Sequence, residues 1–317
     1  MTQNPIAIIG TGMAGVAAAH TLQAAGKTVR LFDKSRGSGG RMASKRSDAG
    51  TLDIGAPYFT ATHTDFCQAV ERWYALGYVA RWPERAETGS QWVGVPRMSA
   101  LTRGLLGDLP VQFSCQIARL EVTEKQWYLI DADNCRHGPF SHVIIAVPAP
   151  QATPLLAVEP TLAALSGSIS MAAVWAVALS FQEPLELAPI LVTETSTRLA
   201  AAYCNSSKAQ RSAQPQTWVL QARSDWSKTH QNDTPQEVIT SLREAFEQLY
   251  GNTLPEPVMS FAHRWLYSQP ASEQSWGALS APERGVYACG DWCLTGDVQG
   301  AWLSGRKAAE MLLKQPR

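Results

Sequence analysis

The 317-residue chain has no excess of charge of either sign, with 27 Lys and Arg against 27 Asp and Glu. That balance provides no global field for a polyanion, so neither nucleic acid nor an anionic membrane is an expected partner. A local basic pocket for a small anion stays compatible with it. Long apolar runs are missing too: the longest are strand-sized or interrupted, and no membrane-spanning segment is expected. The N-terminus lacks the basic flank and apolar core of a secretory signal, which makes a cytoplasmic location the expectation. The six cysteines, Cys67, Cys115, Cys135, Cys204, Cys289 and Cys293, form no CxxC pair, and the histidines supply no HxxxH set. Reduced, mostly buried thiols are expected, with no metal and no disulfide framework. Internal repeats and low-complexity tracts are absent, and no obligate protein partner is evident.

What is present is concentrated in residues 6–41. An apolar, β-branched run at 6–10 reads as a buried parallel strand. It enters Gly10-Thr11-Gly12-Met13-Ala14-Gly15, a G-x-G-x-x-G that opens a helix over 13–25 closed by Gly26. A second strand at 28–32 ends in Asp33, 18 residues beyond Gly15. Gly10 permits the tight turn, Gly12 lets a pyrophosphate approach the backbone, and Gly15 lets helix and strand press together. The helix N-terminus offers free N–H groups to phosphate, and Asp33 is placed to accept from ribose hydroxyls. A βαβ turn without a ligand would need the same glycines, but the strand, helix and acid together point to a dinucleotide.

Further along, helical recurrence marks 64–76 and a helix reaching about 106. Strand signals at 111–114, 116–123 and 126–131 suit an antiparallel meander, and the apolar run at 142–147 a return to the parallel sheet. Residues 78–96 are polar and studded with Trp, consistent with an excursion away from the first domain. Strands at 172–181, 217–222 and 258–266, with an amphipathic helix over 235–250, suit a mixed or antiparallel sheet. A polar loop at 204–216 carries Lys208 and Arg211. At the end, 285–291 reads as a strand closing in Gly290-Asp291, then a loop at 296–300 and a helix over 301–313. The expected fold is α/β. A Rossmann-type cofactor-binding domain (parallel sheet plus β-meander) over 1–73, 97–155 and 285–317 is interrupted by a substrate domain over 74–96 and 156–284.

Two signals favour FAD over NAD. Gly39-Gly40-Arg41 follows the acid, and Arg41 can bond a diphosphate through a fork of donors. Asp291 is typed for the ribityl hydroxyls that FAD has and NAD lacks, and a helix from near Ala301 would aim its positive end at the flavin edge that becomes negative on reduction.

These residues, with Asp33-Lys34, Asp53-Ile54-Gly55-Ala56, Tyr58-Phe59, residues 138–146, residues 262–267, Cys289 to Cys293 and residues 300–305, resemble the FAD-dependent amine oxidase and protoporphyrinogen oxidase superfamily. Within it they look most like the renalase family in its bacterial form, over nearly the whole chain. Pro57 is a departure, since that family usually has Gln there; a proline lacks both a side-chain amide and a backbone donor.

The resemblance implies noncovalent FAD. It carries cofactor contacts to Gly10, Gly12, Met13, Ala14, Gly15, Asp33, Lys34, Gly40 and Arg41, then to Pro57, Tyr58, Phe59 and Ile117, and finally to Asp291, Val298, Gly300 and Ala301. It also implies the reaction: a dihydro-NAD(P) isomer with its hydride on ring position 2 or 6 is oxidised to NAD(P)+, with molecular oxygen as acceptor and hydrogen peroxide as product. A flavin oxidase acting on a small amine is the alternative. Neither needs a strong acid or base, because hydride transfer depends on stacking and alignment. His263, Trp265 and Tyr267 are the candidates for stacking and positioning the substrate, and Arg264, Lys208 and Arg211 for binding it. A structural His263, a buried Trp265 and a solvated Lys208 and Arg211 are the alternatives. Trp292 and Trp302 suit either the flavin wall or the core.

Overall fold

The computed structural model describes residues 4–83 and 91–315. The fold is α/β. Its largest sheet has six strands in the order Leu279–Ala281, Val286–Ala288, His142–Ile145, Ile6–Ile9, Val29–Phe32 and Val111–Gln112. All pairings in it are parallel except that of Leu279–Ala281 with Val286–Ala288. The opening strand therefore lies in the middle, with Ile6 opposite both Val29 and His142. Alternation sends its side chains to opposite faces. Ile8, Leu31 and Ile144 pack with Leu22, Tyr287 and Leu312 on one face; Ala7, Ile9 and Val143 pack with Trp127, Phe140 and Trp292 on the other. Both faces are covered, which is why these strands are continuously apolar.

The helix Met13–Ala24 sits on this sheet through small residues. A Cβ on Gly15 would fall 2.0 Å from the Gly10 carbonyl oxygen, and one on Gly305 would fall 2.0 Å from that of Ala14. Glycine at 305 thus lets the last helix, Val298–Leu313, lie directly against the first.

Three differences from the expected elements have identifiable causes. Val111–Gln112 does not join the meander; it pairs with Val29–Phe32 as the edge of the main sheet. The meander is Ile117–Thr123, Gln126–Asp131 and Arg136–Phe140. The strand Leu279–Ala281, expected in the substrate domain, also belongs to the main sheet. The last helix begins at Val298 rather than near Ala301, because Asp297 caps it by accepting from Gly300 N–H at 2.6 Å. Gly300 belongs to that cap: a Cβ would fall 2.5 Å from Thr295 Oγ1.

The second large sheet is antiparallel, in the order Ile190–Val192, Leu199–Cys204, Gln216–Ala222, Met171–Phe181 and Met259–Pro270. The helix Pro235–Tyr250 covers one face, burying Val238, Leu242 and Phe246 among Val177, Leu179, Trp218 and Leu220. Each such side chain contributes ~1.5–3 kcal/mol by leaving water. Thr234 and Glu237 close a capping box at its start, and Gly251, at φ +76°, ends it. The other face of the sheet looks toward the first domain. Around 78–96, Val79–Arg81 and Gln91–Gly94 form a small sheet with Phe59–Thr60; positions 84–90 lie outside the described residues.

Candidate cofactor and substrate cavity

A cavity of about 1410 Å³ runs from the glycine turn of the main sheet to the open face of the antiparallel sheet. At its first end lie Gly10, Gly12, Met13 and Ala14. Gly10 has φ +105°, and a Cβ there would strike Ala146 O at 2.4 Å. A Cβ on Gly12 would meet no atom within 4 Å, so the backbone here is bare toward the cavity. Gly40, at φ +54°, faces it from the second loop: its Cβ position is 3.7 Å from Gly12 Cα. Two loops stripped of side chains thus lie side by side, joined by Gly39 N–H donating to Thr11 O at 3.1 Å, and the helix at Met13 has no side-chain cap. Bare backbone and free N–H groups of this kind suit a diphosphate.

Asp33 is held at the same end. Its Oδ2 accepts from Thr11 N–H at 2.7 Å and Thr11 Oγ1 at 2.6 Å, and its Oδ1 accepts from Ser35 N–H at 2.8 Å. Three of about four acceptor positions of the carboxylate are in use, which leaves room for one further donor such as a ribose hydroxyl. Lys34 and Ile117 line this end as well.

Arg41 and Asp291, expected to bond different parts of a cofactor, bond each other. Arg41 Nη1 donates to Asp291 Oδ2 at 2.7 Å and Nη2 to Oδ1 at 2.5 Å, while Nη1 also donates to Ser268 O at 3.0 Å. The pair ties the second glycine loop to the end of the strand Met259–Pro270 and to Gly290-Asp291. Both residues line the cavity.

Pro57, Tyr58 and Phe59 form one wall, with Val298 and Ala301 at the start of the last helix. Gly15 and Gly300 are not among the lining residues; each packs against backbone or a cap instead. Toward the antiparallel sheet the wall turns aromatic. Tyr203 lies edge-on to Tyr58 with ring centres 5.9 Å apart, and burial with the neighbouring Tyr58 pushes its hydroxyl well above the ordinary tyrosine range. Trp265 donates from Nε1 to Ile54 O at 2.9 Å and lies against Gly55. Tyr267 lines the same region, and so does Arg264.

By alternation His263, Trp265 and Tyr267 share one face of this strand and Arg264 takes the other. The contacts of three of them agree: His263 lies against Trp265, whereas Arg264 pairs opposite Trp175 and lies over its ring. Arg264, Trp265 and Tyr267 all line the cavity, whereas His263 does not. His263 stacks edge-on against Trp265 at 4.6 Å, and burial, with Lys45 nearby, holds its imidazole below the ordinary range. The strand is half-buried on both sides, so residues of either face reach the cavity.

Lys208 and Arg211 are also outside the cavity wall, and they are not solvated either. Both side chains are shut off from water beside Asp53, with Arg211 Nη2 at 2.6 Å and Lys208 Nζ at 3.3 Å from Asp53 Oδ2. Asp53 Oδ1 accepts from Ser44 Oγ and from Met98 N–H. Burial acts to raise the Asp53 carboxyl, but the two cations beside it outweigh burial and bring it down to about 2. The network fixes the start of the loop Ile54-Gly55-Ala56-Pro57-Tyr58, part of the cavity wall, to the 204–216 loop. Its role in the structure is to position that wall.

Trp292 and Trp302 are core residues. Trp292 is fully buried and donates to Val147 O at 3.0 Å, and Trp302 packs on Phe66 at 5.3 Å. The six thiols are free, and four of them are buried. Spacing along the chain did not reveal that Cys115, Asp131 and His137 bring their ligand atoms within 4.8 Å of one another on the meander. There Asp131 already accepts from His137 Nε2 and from Asp133 and Cys135 N–H. No described helix is long and apolar enough to cross a membrane.

Comparison with known proteins agrees with this architecture. Residues 8–74 match the NAD(P)-binding Rossmann-like domain. A putative protoporphyrinogen oxidase from Exiguobacterium sp. 255-15 superposes over 99% of this chain and 100% of its own, with TM-score 0.74 and 14% identity. Putrescine oxidase bound to putrescine superposes over 99% and 100%, with TM-score 0.75 and 14% identity. Cyclohexylamine oxidase from Brevibacterium oxydans IH-35A gives TM-score 0.73 at 13% identity, over 98% and 99%. At such identities the likeness is one of fold. In sequence, putrescine oxidase from Kocuria rosea is 35% identical over 69 residues, a stretch spanning 22% of this chain and 14% of that relative. Residues 74–313 match the family described as flavin containing amine oxidoreductase, so the chain belongs to that family and is an FAD-dependent oxidoreductase.

Proposed function

We propose that this protein oxidises dihydro-NAD(P) isomers that carry the hydride on ring position 2 or 6, releasing NAD(P)+, in the manner of the renalase family. FAD bound here would supply the hydride acceptor, with molecular oxygen as the final oxidant and hydrogen peroxide as its product. The cofactor would be held noncovalently by the bare turns at Gly10–Gly12 and Gly40, by the helix N-terminus at Met13, Ala14 and by Asp33, with Arg41 and Asp291 near its middle. Segments 4–73, 97–155 and 279–315, built around the six-stranded sheet, would carry this role, and 156–278 would provide the substrate wall. Trp265, Tyr203 and Tyr267 offer flat faces for a nicotinamide and keep water from it. Trp265 is held in place by its bond to Ile54 O.

One observation supports an anionic substrate over a cationic amine. Arg264 lines the cavity and, among the described residues, takes part in no ion pair; its guanidinium lies 5.6 Å from the Trp175 ring centre. The cavity's carboxylates are all engaged. Asp33 bonds Thr11 and Ser35, Asp291 pairs with Arg41, Asp297 caps a helix, and Asp225 lies 3.5 Å from Arg223. A phosphate-bearing substrate finds a free guanidinium, whereas an ammonium group finds no unengaged carboxylate. The aromatic wall at Tyr58 and Tyr203, with the family match, supports the second reading of a small-amine oxidase. Equilibrium titration of the oxidised flavoprotein separates the two. NAD+ or NADP+, as products, should perturb the flavin spectrum saturably; perturbation by amines alone would favour the second reading.

A further inference from the structure

A second cleft, of about 520 Å³, opens between residues 34–46 and the start of the helix Met98–Leu106. Five cationic side chains line it: Lys34, Arg36, Arg46, Arg97 and Arg103. No carboxylate lines it, and among the described residues none of the five takes part in an ion pair. In a chain with equal numbers of acidic and basic residues, five uncompensated cations around one concave site are not a consequence of composition. Each pair of them repels, and an anion between them would turn that repulsion into attraction.

The remaining lining narrows the chemistry. Ser35, Ser38, Ser44 and Ser99 lie between the cations, and no aromatic or long apolar side chain is present to hold a base or an acyl chain. The helix terminus is not the receptor. Met98 N–H is spent on Asp53 and Ser99 N–H on Ser44 Oγ. Recognition therefore falls to the guanidinium groups, whose planar forks match phosphate oxygens. The volume suits a small molecule, since ligand sites commonly span about 300–1,000 Å³.

We propose that this cleft binds a compact anion with two or more linked phosphates, at a site separate from the cofactor and substrate cavity. Only Lys34 and Ser35 line both, so the two sites stand back to back behind Asp33. The proposal holds whichever substrate the flavin oxidises.

The test is calorimetric titration of the FAD-loaded protein with tripolyphosphate, with orthophosphate and a short DNA duplex in parallel. One-site binding of tripolyphosphate is expected, tighter than that of orthophosphate or the duplex and weakened by added monovalent salt. In the double variant R46Q/R103Q the affinity should fall about tenfold or more. Its flavin-to-protein ratio should be retained, and its Tm unchanged or raised because like-charge repulsion is relieved. Absence of saturable binding, or equal affinity in the variant, would overturn the proposal. So would binding confined to FAD-free protein, which would make the cleft part of the cofactor site. Tighter binding of the duplex would replace it with a nucleic-acid surface.

Discussion

Arg41 and Asp291, 250 positions apart, meet through two hydrogen bonds of 2.7 and 2.5 Å, one from each terminal nitrogen to each carboxylate oxygen. The Asp291 side chain is 5% exposed, so this carboxylate depends on its partner for the solvation it has lost. Removing one partner of such a pair strands the other, at a cost on the order of 3–5 kcal/mol when both are fully buried and less here, where Arg41 is 28% exposed. We predict that R41Q and D291N each lower both Tm and the flavin-to-protein ratio. The double variant should lose less than the two single losses added together, because both act on one interaction. Additive losses in thermal melts would show that the two residues act separately.

The Asp53 network makes a prediction about acid. Its carboxyl lies at about 2 in the folded protein against an ordinary 3.8. A pKa held below the unfolded value adds stability that is fully present above about pH 4 and is lost as pH falls toward 2, here about 2 kcal/mol. Chemical unfolding across that range should show the loss in the parent protein. D53N should remove this pH dependence and lower stability by about 3–5 kcal/mol at neutral pH, since it leaves Lys208 and Arg211 buried without a counter-charge.

Gly12 and Gly15 separate folding from cofactor binding. A Cβ at position 12 meets nothing in the protein, whereas one at position 15 falls 2.0 Å from Gly10 O. G12A should therefore fold with nearly the parent Tm but bind FAD about tenfold or more weakly, because the methyl group occupies the phosphate approach. G15A must push helix and strand apart, and its Tm should fall with its flavin content. Equal Tm losses in the two variants would contradict this division.

Arg264 offers a test of substrate charge. R264Q should raise KM for a phosphate-bearing substrate about tenfold with little change in kcat, and the defect should shrink as salt is added. Tm should stay near the parent value, since no ion pair among the described residues is broken. An unchanged KM would remove the observation on which the dinucleotide reading leans.

How much of this was legible in the sequence depended on the distance over which each feature is decided. The Gly10–Gly15 turn and the amphipathic period of the helix Pro235–Tyr250 are settled by neighbours within a few turns, and both were visible as local patterns. Val111–Gln112 is too short for a period, so whether it joined the meander or the parallel sheet was settled by Val29–Phe32, some 80 positions away. Lys208 and Arg211 look like loop cations, and only the approach of Asp53, more than 150 positions earlier, reveals them as buried. Gly300 suggested a loop because its contact with the Asp297 cap cannot be read from composition. The basic cleft is likewise assembled from two segments, 34–46 and 97–103, neither of which is conspicuous alone.

The central claim, that the oxidised substrate is a dihydronicotinamide dinucleotide, is tested most directly by anaerobic stopped-flow reduction of the purified flavoprotein. The 2- and 6-dihydro isomers of NAD and NADP should bleach the flavin rapidly and yield one NAD(P)+ per flavin reduced, while putrescine and other small amines leave it oxidised. Rapid bleaching by an amine, with no reduction by any dihydronicotinamide isomer, would contradict it.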